Sequence, residues 1–519
     1  MIGSLRIALL LSITPILMPA RMPAEPSANP FGVFTINRGL WGARMPDAAW
    51  DRGFVRLHTI IKNQDGTFAW AGSPTSPGVS SNFYGAGCFE RLPSDRNWVL
   101  CLDGLPPWLQ ADPKDVLTPN NWTDFENLIS WVVAQFPPQV KVLEIANEYG
   151  WWDTTSRAWP DAATMAEYIK RVSRTVRQQR PDLTVAGPAW VNTSSFLRER
   201  FAELAACKWS DGTRTLDWLG AISMHNYSGL DEVGAEAKFG RWSDDLAAWY
   251  QWVDTLGYAR LPHYWTEFGF PLKYNNQADG HPAGRAVTAA EAARFYARAM
   301  TLLKARNAAC ILPFSLASFD GHGGTQDFGF HDETNTTRRP AYFAATTTMA
   351  FLKDAGPGTI LHDGTRTVVN FSDRAVIWDS ASRYSYDPGY TIRAAIDLKG
   401  DPVIPANART VPVGPDPVFV TKKGSSLFSM GRIDRDVAGS VRNPGLERVA
   451  HAPRYGRKAM KVYLHAPCSF SIPRIHSLAL VATSASEWIR AGWPTLMTSP
   501  HVCHPLKTAK NPKKNIGSP

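Results

Sequence analysis

Two glutamates in this chain could carry acid and base chemistry together. Glu148 ends a strand-like run, VLEIANEYG (142–150), and Glu267 lies in a second run, HYWTEFGF (263–270), 119 residues further along. Cleavage of an acetal needs a proton for the leaving oxygen and a carboxylate to meet the positive charge that develops on the sugar. Two carboxyl groups at the ends of two strands therefore predict cleavage of a glycosidic bond. Either glutamate alone would more often be a solvated or salt-bridged side chain. The prediction of catalysis therefore depends on the elements that position the two glutamates.

Those elements follow an alternating order. From about residue 30 to 352, short apolar runs alternate with segments of helical period, which predicts parallel strands joined by crossover helices. Eight runs predict strands at 31–36, 54–61, 98–104, 140–147, 183–188, 219–227, 263–269 and 310–319. We therefore expect an α/β protein in which residues 30–352 form a (β/α)8 TIM barrel, with its active face at the C-terminal ends of the strands.

Helical periodicity is readable between several of these strands. Apolar residues recur at 3.6 spacing from Met165 to Val176 and again from Leu246 to Leu256. Each segment is predicted to form a helix with one buried face. Thr288 and Glu291 have the spacing of a capping box, which predicts that a helix begins there.

The two ends of the chain differ from this middle part. Turn-separated runs at 355–421 predict a small, sandwich-like β module, and residues 422–519 predict a basic, weakly ordered tail of uncertain fold. Residues 1–28 place Arg6 ahead of an apolar run and then small residues and prolines. This pattern predicts a signal peptide and an exported protein that is secreted, periplasmic or at the cell surface. The run is short for a bilayer, so we expect no stable membrane span.

The net charge of +9 belongs to the tail. Residues 421–519 hold 16 Lys and Arg against 4 Asp and Glu, which leaves the first 420 residues near −3. We therefore predict no nucleic-acid partner for the barrel. The six cysteines lack metal-binding spacing, so no metal site is expected. The oligomeric state is left open.

Polar side chains at the ends of three predicted strands would converge in such a barrel. Asn147 and Glu148 end the fourth strand, and Glu267 ends the seventh. On the sixth strand, His225 and Tyr227 could donate hydrogen bonds to a carboxylate. We interpret these five side chains as one site.

Further candidates have structural alternatives of equal weight. Arg56, on the predicted second strand, could favour the ionised form of a catalytic carboxylate, or form a structural ion pair inside the barrel with Glu144. Trp151 and Trp152 follow the fourth strand, and Trp108 follows the third. Their flat faces suit sugar rings, although packing in the core would also use them.

At this point the chain resembles the clan A glycoside hydrolases, which end the fourth barrel strand with Asn-Glu and the seventh with a second Glu. Within the clan it is most similar to family 39 and its bacterial exopolysaccharide-degrading relatives. The motifs that carry the resemblance are LDGLPPWL (102–109), LEIANEYGWW (143–152), HNY (225–227), WTEFGF (265–270) and FGFHDETNTTRRPAYFA (328–344).

The resemblance implies a retaining glycoside hydrolase that acts on a β-linked poly- or oligosaccharide. Glu148 would be the acid/base, Glu267 the nucleophile, and Asn147 would bind the sugar 2-hydroxyl. Retention needs the two carboxyl groups about 5–5.5 Å apart. No metal or organic cofactor is implied, because protons and a carboxylate suffice.

Several positions depart from the family pattern. Ala146 stands where Trp is frequent, Tyr149 replaces the usual Pro, and Phe314 lies on the eighth strand where a sugar-stacking Trp is common. The bound sugar could therefore differ from that of the familiar xylosidases, or Phe314 could do the stacking. Two other functions stay open: a barrel that binds carbohydrate without turnover, and a transglycosidase that uses the same residues.

Overall fold

The computed structural model describes residues 29–35, 45–71, 89, 92–149, 160–191, 195–209, 211–274, 284–318, 326–332, 334, 336–405 and 407–424. The predicted signal peptide, Trp151, Trp152 and nearly all of the predicted tail lie outside these residues. No helix within the described ranges combines the length and the apolar composition needed to cross a membrane.

The described elements are strands, α-helices and short 3-10 helices. The strands are β1 (Trp50–Arg56), β2 (Ile60–Lys62), β3 (Phe68–Trp70), β4 (Asn97–Asp103), β5 (Gln110–Asp112), β6 (Asp115–Pro119), β7 (Val140–Ile145), β8 (Thr184–Val191), β9 (Ala221–Asn226), β10 (His263–Phe268), β11 (Lys273–Tyr274), β12 (Cys310–Ile311), β13 (Gln326–Asp327), β14 (Thr359–Asp363), β15 (Arg366–Asn370), β16 (Arg374–Asp379), β17 (Tyr384–Tyr386), β18 (Ile392–Ile396), β19 (Val411–Val413) and β20 (Val418–Lys422). The helices are α1 (Trp122–Val133), α2 (Ala162–Gln179), α3 (Ser195–Ala206), α4 (Ala235–Thr255), α5 (Ala289–Ala305) and α6 (Pro340–Leu352). Single 3-10 turns lie at Leu57–Thr59, Pro107–Leu109 and Thr215–Trp218.

Seven parallel strands form the barrel wall in the order β1, β4, β7, β8, β9, β10, β12. The segment at 30–33 closes it, because Phe31 bridges to Ile311 of β12 and Gly32 bridges to Trp50 of β1, both in parallel. All eight predicted strand positions are thus occupied, and the predicted (β/α)8 barrel is confirmed. The C-terminal ends of these strands share one face.

The second strand begins earlier than predicted. The sequence placed it at 54–61, whereas β1 spans Trp50–Arg56 and the following residues enter a hairpin formed by β2 and β3. The triplet 51–53, Asp-Arg-Gly, has the composition of a turn. It is extended in the barrel because its charged side chains have tertiary partners: the Asp51 carboxylate pairs with Arg96 and accepts hydrogen bonds from the backbone N–H and the hydroxyl of Thr35.

The predicted helices are present. α2 and α4 cover the two periodic segments and bury their apolar faces. α5 begins with the expected capping box, in which the Thr288 hydroxyl accepts from the Glu291 backbone N–H and the Glu291 carboxylate accepts from that of Thr288. Such reciprocal bonds satisfy two donors that a helix start otherwise leaves open.

After α6 the chain forms antiparallel sheets. Five strands lie in the order β14, β15, β16, β20, β18, and β17 pairs with β19. One face of the larger sheet packs on the barrel, with Val376 and Phe419 in the same apolar core as Phe351 of α6. On the other face Ile377 packs in a separate core with Val413 of β19. This two-layered packing gives the predicted β-rich region its sandwich-like character.

The closure of the barrel depends on the absence of a side chain at Gly32. A Cβ atom there would lie 2.1 Å from the carbonyl oxygen of Trp50 and 2.5 Å from Leu312 Cδ2.

We expect Gly32→Ala to lower the free energy of unfolding by about 1–3 kcal/mol or more, because the backbone must shift to admit the methyl group. Urea denaturation would measure it. Gly240→Ala is the matched control, since a Cβ in that part of α4 meets no described atom within 4 Å and should stabilise by about 0.5–1 kcal/mol. Equal effects of both substitutions would contradict the close packing at Gly32.

Candidate active site

A bulge in β10 points two consecutive side chains into the barrel. Trp265 pairs with Met224 of β9 and Glu267 pairs with the next residue, His225, so that Thr266 is an extra residue in the register. Side chains normally alternate between the two faces of a strand, and a bulge changes that direction locally. Thr266 and Glu267 accordingly both meet partners inside the barrel.

The end of β7 turns sharply to present the second glutamate. Ala146 and Glu148 have positive φ angles of 52° and 55°, a left-handed conformation that residues other than glycine adopt at a cost in free energy. Two backbone hydrogen bonds hold this turn against β8, from Tyr149 N–H to the Ala189 carbonyl (3.2 Å) and from Ala189 N–H to the Ala146 carbonyl (3.0 Å). The position of Glu148 is therefore set by its neighbouring strand.

Gly187 lets β8 approach the end of β7 closely enough for those bonds to form. Its φ is +123°, and a Cβ atom would lie 2.8 Å from the carbonyl oxygen and 2.9 Å from the nitrogen of Ile145. The pairing of β8 with β9 shifts register between Ala186 and Ala189. A side chain at position 187 would push directly on the backbone that leads to Glu148.

The two carboxylates meet at one imidazole ring. His225 Nδ1 lies 3.1 Å from Glu148 Oε1 and 3.7 Å from Glu267 Oε2. One oxygen of each carboxylate and a ring nitrogen of His225 all lie within 4.8 Å of one another. In the part of the chain that the structure describes, this is the only group of three or more His, Cys, Asp or Glu side chains whose ligand atoms lie close enough to share a metal ion. Glu267 and His225 are buried, and Glu148 is partly open to solvent.

Arg52 connects this pair to the barrel interior. Its guanidinium is fully buried and donates Nη1 to Glu267 Oε1, Nη2 to Asn147 Oδ1 (2.9 Å), and both Nε (2.8 Å) and Nη2 to Glu144 Oε2. Its cationic carbon also lies 4.7 Å from the centre of the Phe54 ring, a favourable cation–π distance. One side chain of β1 thus binds residues from β7, β10 and the turn after β7.

The charges of this interior cluster are mutually stabilised. Burial alone would lower the pKa of Arg52, but the Glu144 and Glu267 carboxylates outweigh it and raise that pKa. Burial likewise opposes ionisation of Glu144, yet Arg52, His225 and the hydroxyls of Ser223 and Thr266 together lower the pKa of Glu144. Arg52 and Glu144 are therefore a charged pair in the barrel interior.

Tyr227 binds the oxygen of Glu267 that Arg52 does not bind. Its hydroxyl donates to Glu267 Oε2 at 2.8 Å, and burial, reinforced by Glu267 and Glu148, raises the pKa of Tyr227 well above its ordinary value. The phenol is accordingly a neutral hydrogen-bond donor. Its ring packs edge-on against Phe314 and Phe328, so the predicted aromatic residue of the eighth strand contacts the tyrosine that binds Glu267.

Two sequence candidates have other principal partners. Arg56 pairs with Asp103 at the end of the adjacent β4, so the predicted ion pair with Glu144 is made by Arg52 instead. The indole N–H of Trp108 donates to the Ile60 carbonyl at 2.8 Å, and its ring stacks on Phe68 of the neighbouring hairpin.

Arg52 was not predicted from the sequence as a residue of the site, and neither were the Ser223 and Thr266 hydroxyls that bind Glu144. Ser223 Oγ and Thr266 Oγ1 both donate to Glu144 Oε1. The available signal was a charged residue close before an apolar strand: moving the start of the second strand to Trp50 would have placed Arg52 inside the barrel.

Comparisons with known proteins identify the fold. No protein-family model and no curated protein matches the sequence. A family 39 glycoside hydrolase from the gut symbiont Bacteroides cellulosilyticus WH2 has a similar structure, with a TM-score of 0.51 and 12% identity over 77% of this chain and 81% of its own. A family 39 β-xylosidase from Caulobacter crescentus has a TM-score of 0.45 and 14% identity over 78% of this chain and 98% of its own. At such identities, the first similarity establishes a shared fold.

The central role of Arg52 can be tested by its removal. We expect Arg52→Met to lower the free energy of unfolding by about 3–5 kcal/mol at pH 7, because Glu144 is then a buried carboxylate without its cation. Burial would raise the pKa of Glu144 in this variant, so the loss of stability should grow as the pH rises from about 4, where the unfolded carboxylate ionises. Urea denaturation of variant and wild type at pH 5 and pH 8 measures both effects.

Arg56→Met provides the matched control for that experiment. Arg56 is partly exposed and pairs with Asp103 at the edge of the barrel, so we expect a smaller loss and a weaker dependence on pH. If the two variants were destabilised equally, Arg52 would be an ordinary ion-pair residue.

Proposed function

We propose that this protein is a retaining glycoside hydrolase, similar to clan A and family 39, that cleaves β-linked bonds in an oligo- or polysaccharide. The observation that carries the proposal is the pair of carboxylates, Glu148 and Glu267, at the C-terminal ends of β7 and β10 with oxygens less than 4.8 Å apart. Inverting enzymes need about 6.5–9.5 Å between the carboxyl groups to admit a water molecule, whereas retaining enzymes need about 5–5.5 Å. The short oxygen separation favours retention.

The first step transfers the sugar to Glu267. A carboxylate oxygen of Glu267 attacks the anomeric carbon while the bond from that carbon to the leaving oxygen breaks. The leaving oxygen takes a proton from Glu148 and departs as an alcohol. Glu267 is the better nucleophile of the two, because Arg52 and Tyr227 each bind one of its oxygens and fix its orientation. Glu148 is the more exposed, which suits a group that must reach the leaving oxygen and later water.

The second step releases the sugar. Glu148, now ionised, takes a proton from a water molecule, and the water oxygen attacks the anomeric carbon. The ester bond breaks, its electron pair returns to Glu267, and the product keeps its original anomeric configuration. The reaction as proposed needs no metal or organic cofactor.

The remaining candidates fit supporting roles around this pair. Asn147 is partly open to solvent beside Glu148, and Arg52 holds its Oδ1, so its amide N–H group is oriented for a sugar hydroxyl. His225 Nδ1 is within hydrogen-bond distance of Glu148 Oε1 (3.1 Å) and lies 3.7 Å from Glu267 Oε2, so the ring can orient the acid/base beside the nucleophile. The ring of Phe314 is half-buried next to Tyr227 and offers a surface for sugar stacking. An exported protein that meets extracellular or periplasmic polysaccharide would suit the predicted signal peptide.

A panel of aryl β-glycosides tests the activity and the stereochemistry together. We expect hydrolysis of at least one 4-nitrophenyl β-glycoside, and proton NMR of the first-formed sugar should reveal the β-anomer. A first product with the α-configuration would exclude double displacement. Binding without turnover across aryl glycosides and natural polysaccharides would favour a carbohydrate-binding barrel, and oligosaccharide products would favour a transglycosidase.

Substitution of each glutamate should have a different kinetic effect. We expect Glu267→Gln to lose nearly all turnover on every substrate, because no carboxylate remains to attack. Glu148→Gln should slow the 4-nitrophenyl substrate less than the natural glycan and be partly rescued on a 2,4-dinitrophenyl glycoside, whose leaving group needs no proton. The loss on the natural glycan should be about 10²–10⁴-fold. Near-normal kcat/KM in both variants would contradict the assignment of Glu148 and Glu267 as the catalytic pair.

The close approach of β8 predicts an effect on catalysis from outside the pair. Gly187→Ala forces the Ile145 backbone to move, so we expect kcat to fall by tenfold or more, since small displacements of catalytic groups have about this cost. Gly240→Ala should leave kcat unchanged. Circular dichroism identifies any loss of folding, and a folded Gly187→Ala variant with wild-type kcat would contradict the proposed support of Glu148 by β8.

A further inference from the structure

Glu144, four residues before Glu148, is a third carboxylate of this cluster, and it is fully buried. Its Oε2 accepts two N–H bonds from Arg52. Its Oε1 accepts the hydroxyls of Ser223 and Thr266, the second at 2.6 Å. Donors from β1, β9 and β10 therefore fix both oxygens of a side chain on β7.

Arg52 lies between two carboxylates that have different fates in the proposed reaction. Before catalysis, Glu144 and Glu267 both neutralise the guanidinium, and the three groups together carry one negative charge. When Glu267 becomes a glycosyl ester it loses its charge. Arg52 remains buried, and a buried cation without a counterion is strongly disfavoured. Among the described residues, Glu144 is the other carboxylate that binds this guanidinium.

We propose that Glu144 is a positioning residue that acts as the permanent counterion of Arg52 and so makes the neutral, esterified state of Glu267 accessible. The proposal rests on the double-displacement function proposed above. Glu144 does not touch the reacting atoms: it acts through the guanidinium, whose Nη1 binds Glu267. The Ser223 and Thr266 hydroxyls keep the Glu144 carboxylate ionised and in place.

A counterion role affects the two half-reactions in opposite directions. Without the Glu144 charge, Arg52 binds the ionised form of Glu267 more tightly, and formation of the ester must break this stronger interaction. Glycosylation should therefore slow down. Return of the electron pair to Glu267 restores the interaction, so deglycosylation should become faster. A general loss of structure would slow both steps.

Glu144→Gln tests this with a reagent that separates the steps. The probe is the 2,4-dinitrophenyl 2-deoxy-2-fluoro-β-glycoside of a sugar that the wild-type protein cleaves. The rate of inactivation reports glycosylation, and the rate at which activity returns after removal of the reagent reports deglycosylation. We expect inactivation to slow by about tenfold or more and reactivation to accelerate by a similar factor. Such a ratio of rates corresponds to the free energy of about one charge-assisted hydrogen bond.

Two variants serve as controls. Glu144→Asp keeps the charge and should keep the ratio of the two rates close to that of the wild type, even if both rates fall. Glu236→Gln removes a carboxylate that binds Arg298 on the outer helices and should leave the ratio unchanged. If Glu144→Gln slows both steps, or changes neither, the counterion role is overturned.

Failure of the variant to fold is also informative. If Glu144→Gln is unfolded, the double variant Arg52→Gln/Glu144→Gln should be tested by circular dichroism, because it removes both charges. Recovery of folding in the double variant supports the counterion role. Continued unfolding overturns it in favour of a packing role. Failure of the proposed function is distinguishable, because the wild-type protein would then neither cleave an aryl glycoside nor be inactivated by its fluorinated analogue.

Discussion

The candidate site depends on the ion pairs and hydrogen bonds of one buried group, the guanidinium of Arg52. It begins on β1 and binds Glu144 of β7, Asn147 in the following turn, and Glu267 of β10. Because a buried charge without partners is costly, the site forms only when these strands are assembled in one barrel. The same contacts hold Glu267 directly and, through Asn147, the residue that precedes Glu148, while backbone bonds to β8 hold the turn that carries Glu148.

Local backbone geometry completes what this interaction begins. The bulge at Thr266 points it and Glu267 into the barrel, and the left-handed residues Ala146 and Glu148 turn the chain at the end of β7. Neither conformation is the most stable one for an isolated segment. They are held by neighbouring strands, most directly where Gly187 allows β8 to touch Ile145. The strained turn that carries Glu148 is therefore stabilised by the hydrogen bonds between β8 and the end of β7.

The sequence predicted those parts of the molecule that depend on local patterns. Strand alternation, the periodic faces of α2 and α4, and the capping box at Thr288 each need only a short window, and each is present in the structure. The pair Glu148 and Glu267 was found because both end strand-like runs. Arg52 was missed because its partners lie 92 and 215 residues away, and because Asp-Arg-Gly is locally typical of a turn. Long-range charge pairing has no short-window signature.

In the proposed mechanism Glu267 is the nucleophile that forms the covalent intermediate, and its hydrogen bonds to Arg52 and Tyr227 fix its orientation. The most direct measurement is mass spectrometry of proteolytic peptides after incubation of the wild-type protein with a 2,4-dinitrophenyl 2-deoxy-2-fluoro-β-glycoside. The account predicts one fluoroglycosyl adduct, on the peptide that contains Glu267, and its absence in Glu267→Gln. An adduct on Glu148 instead, or turnover of the parent glycoside with no adduct and an inverted product, would contradict it.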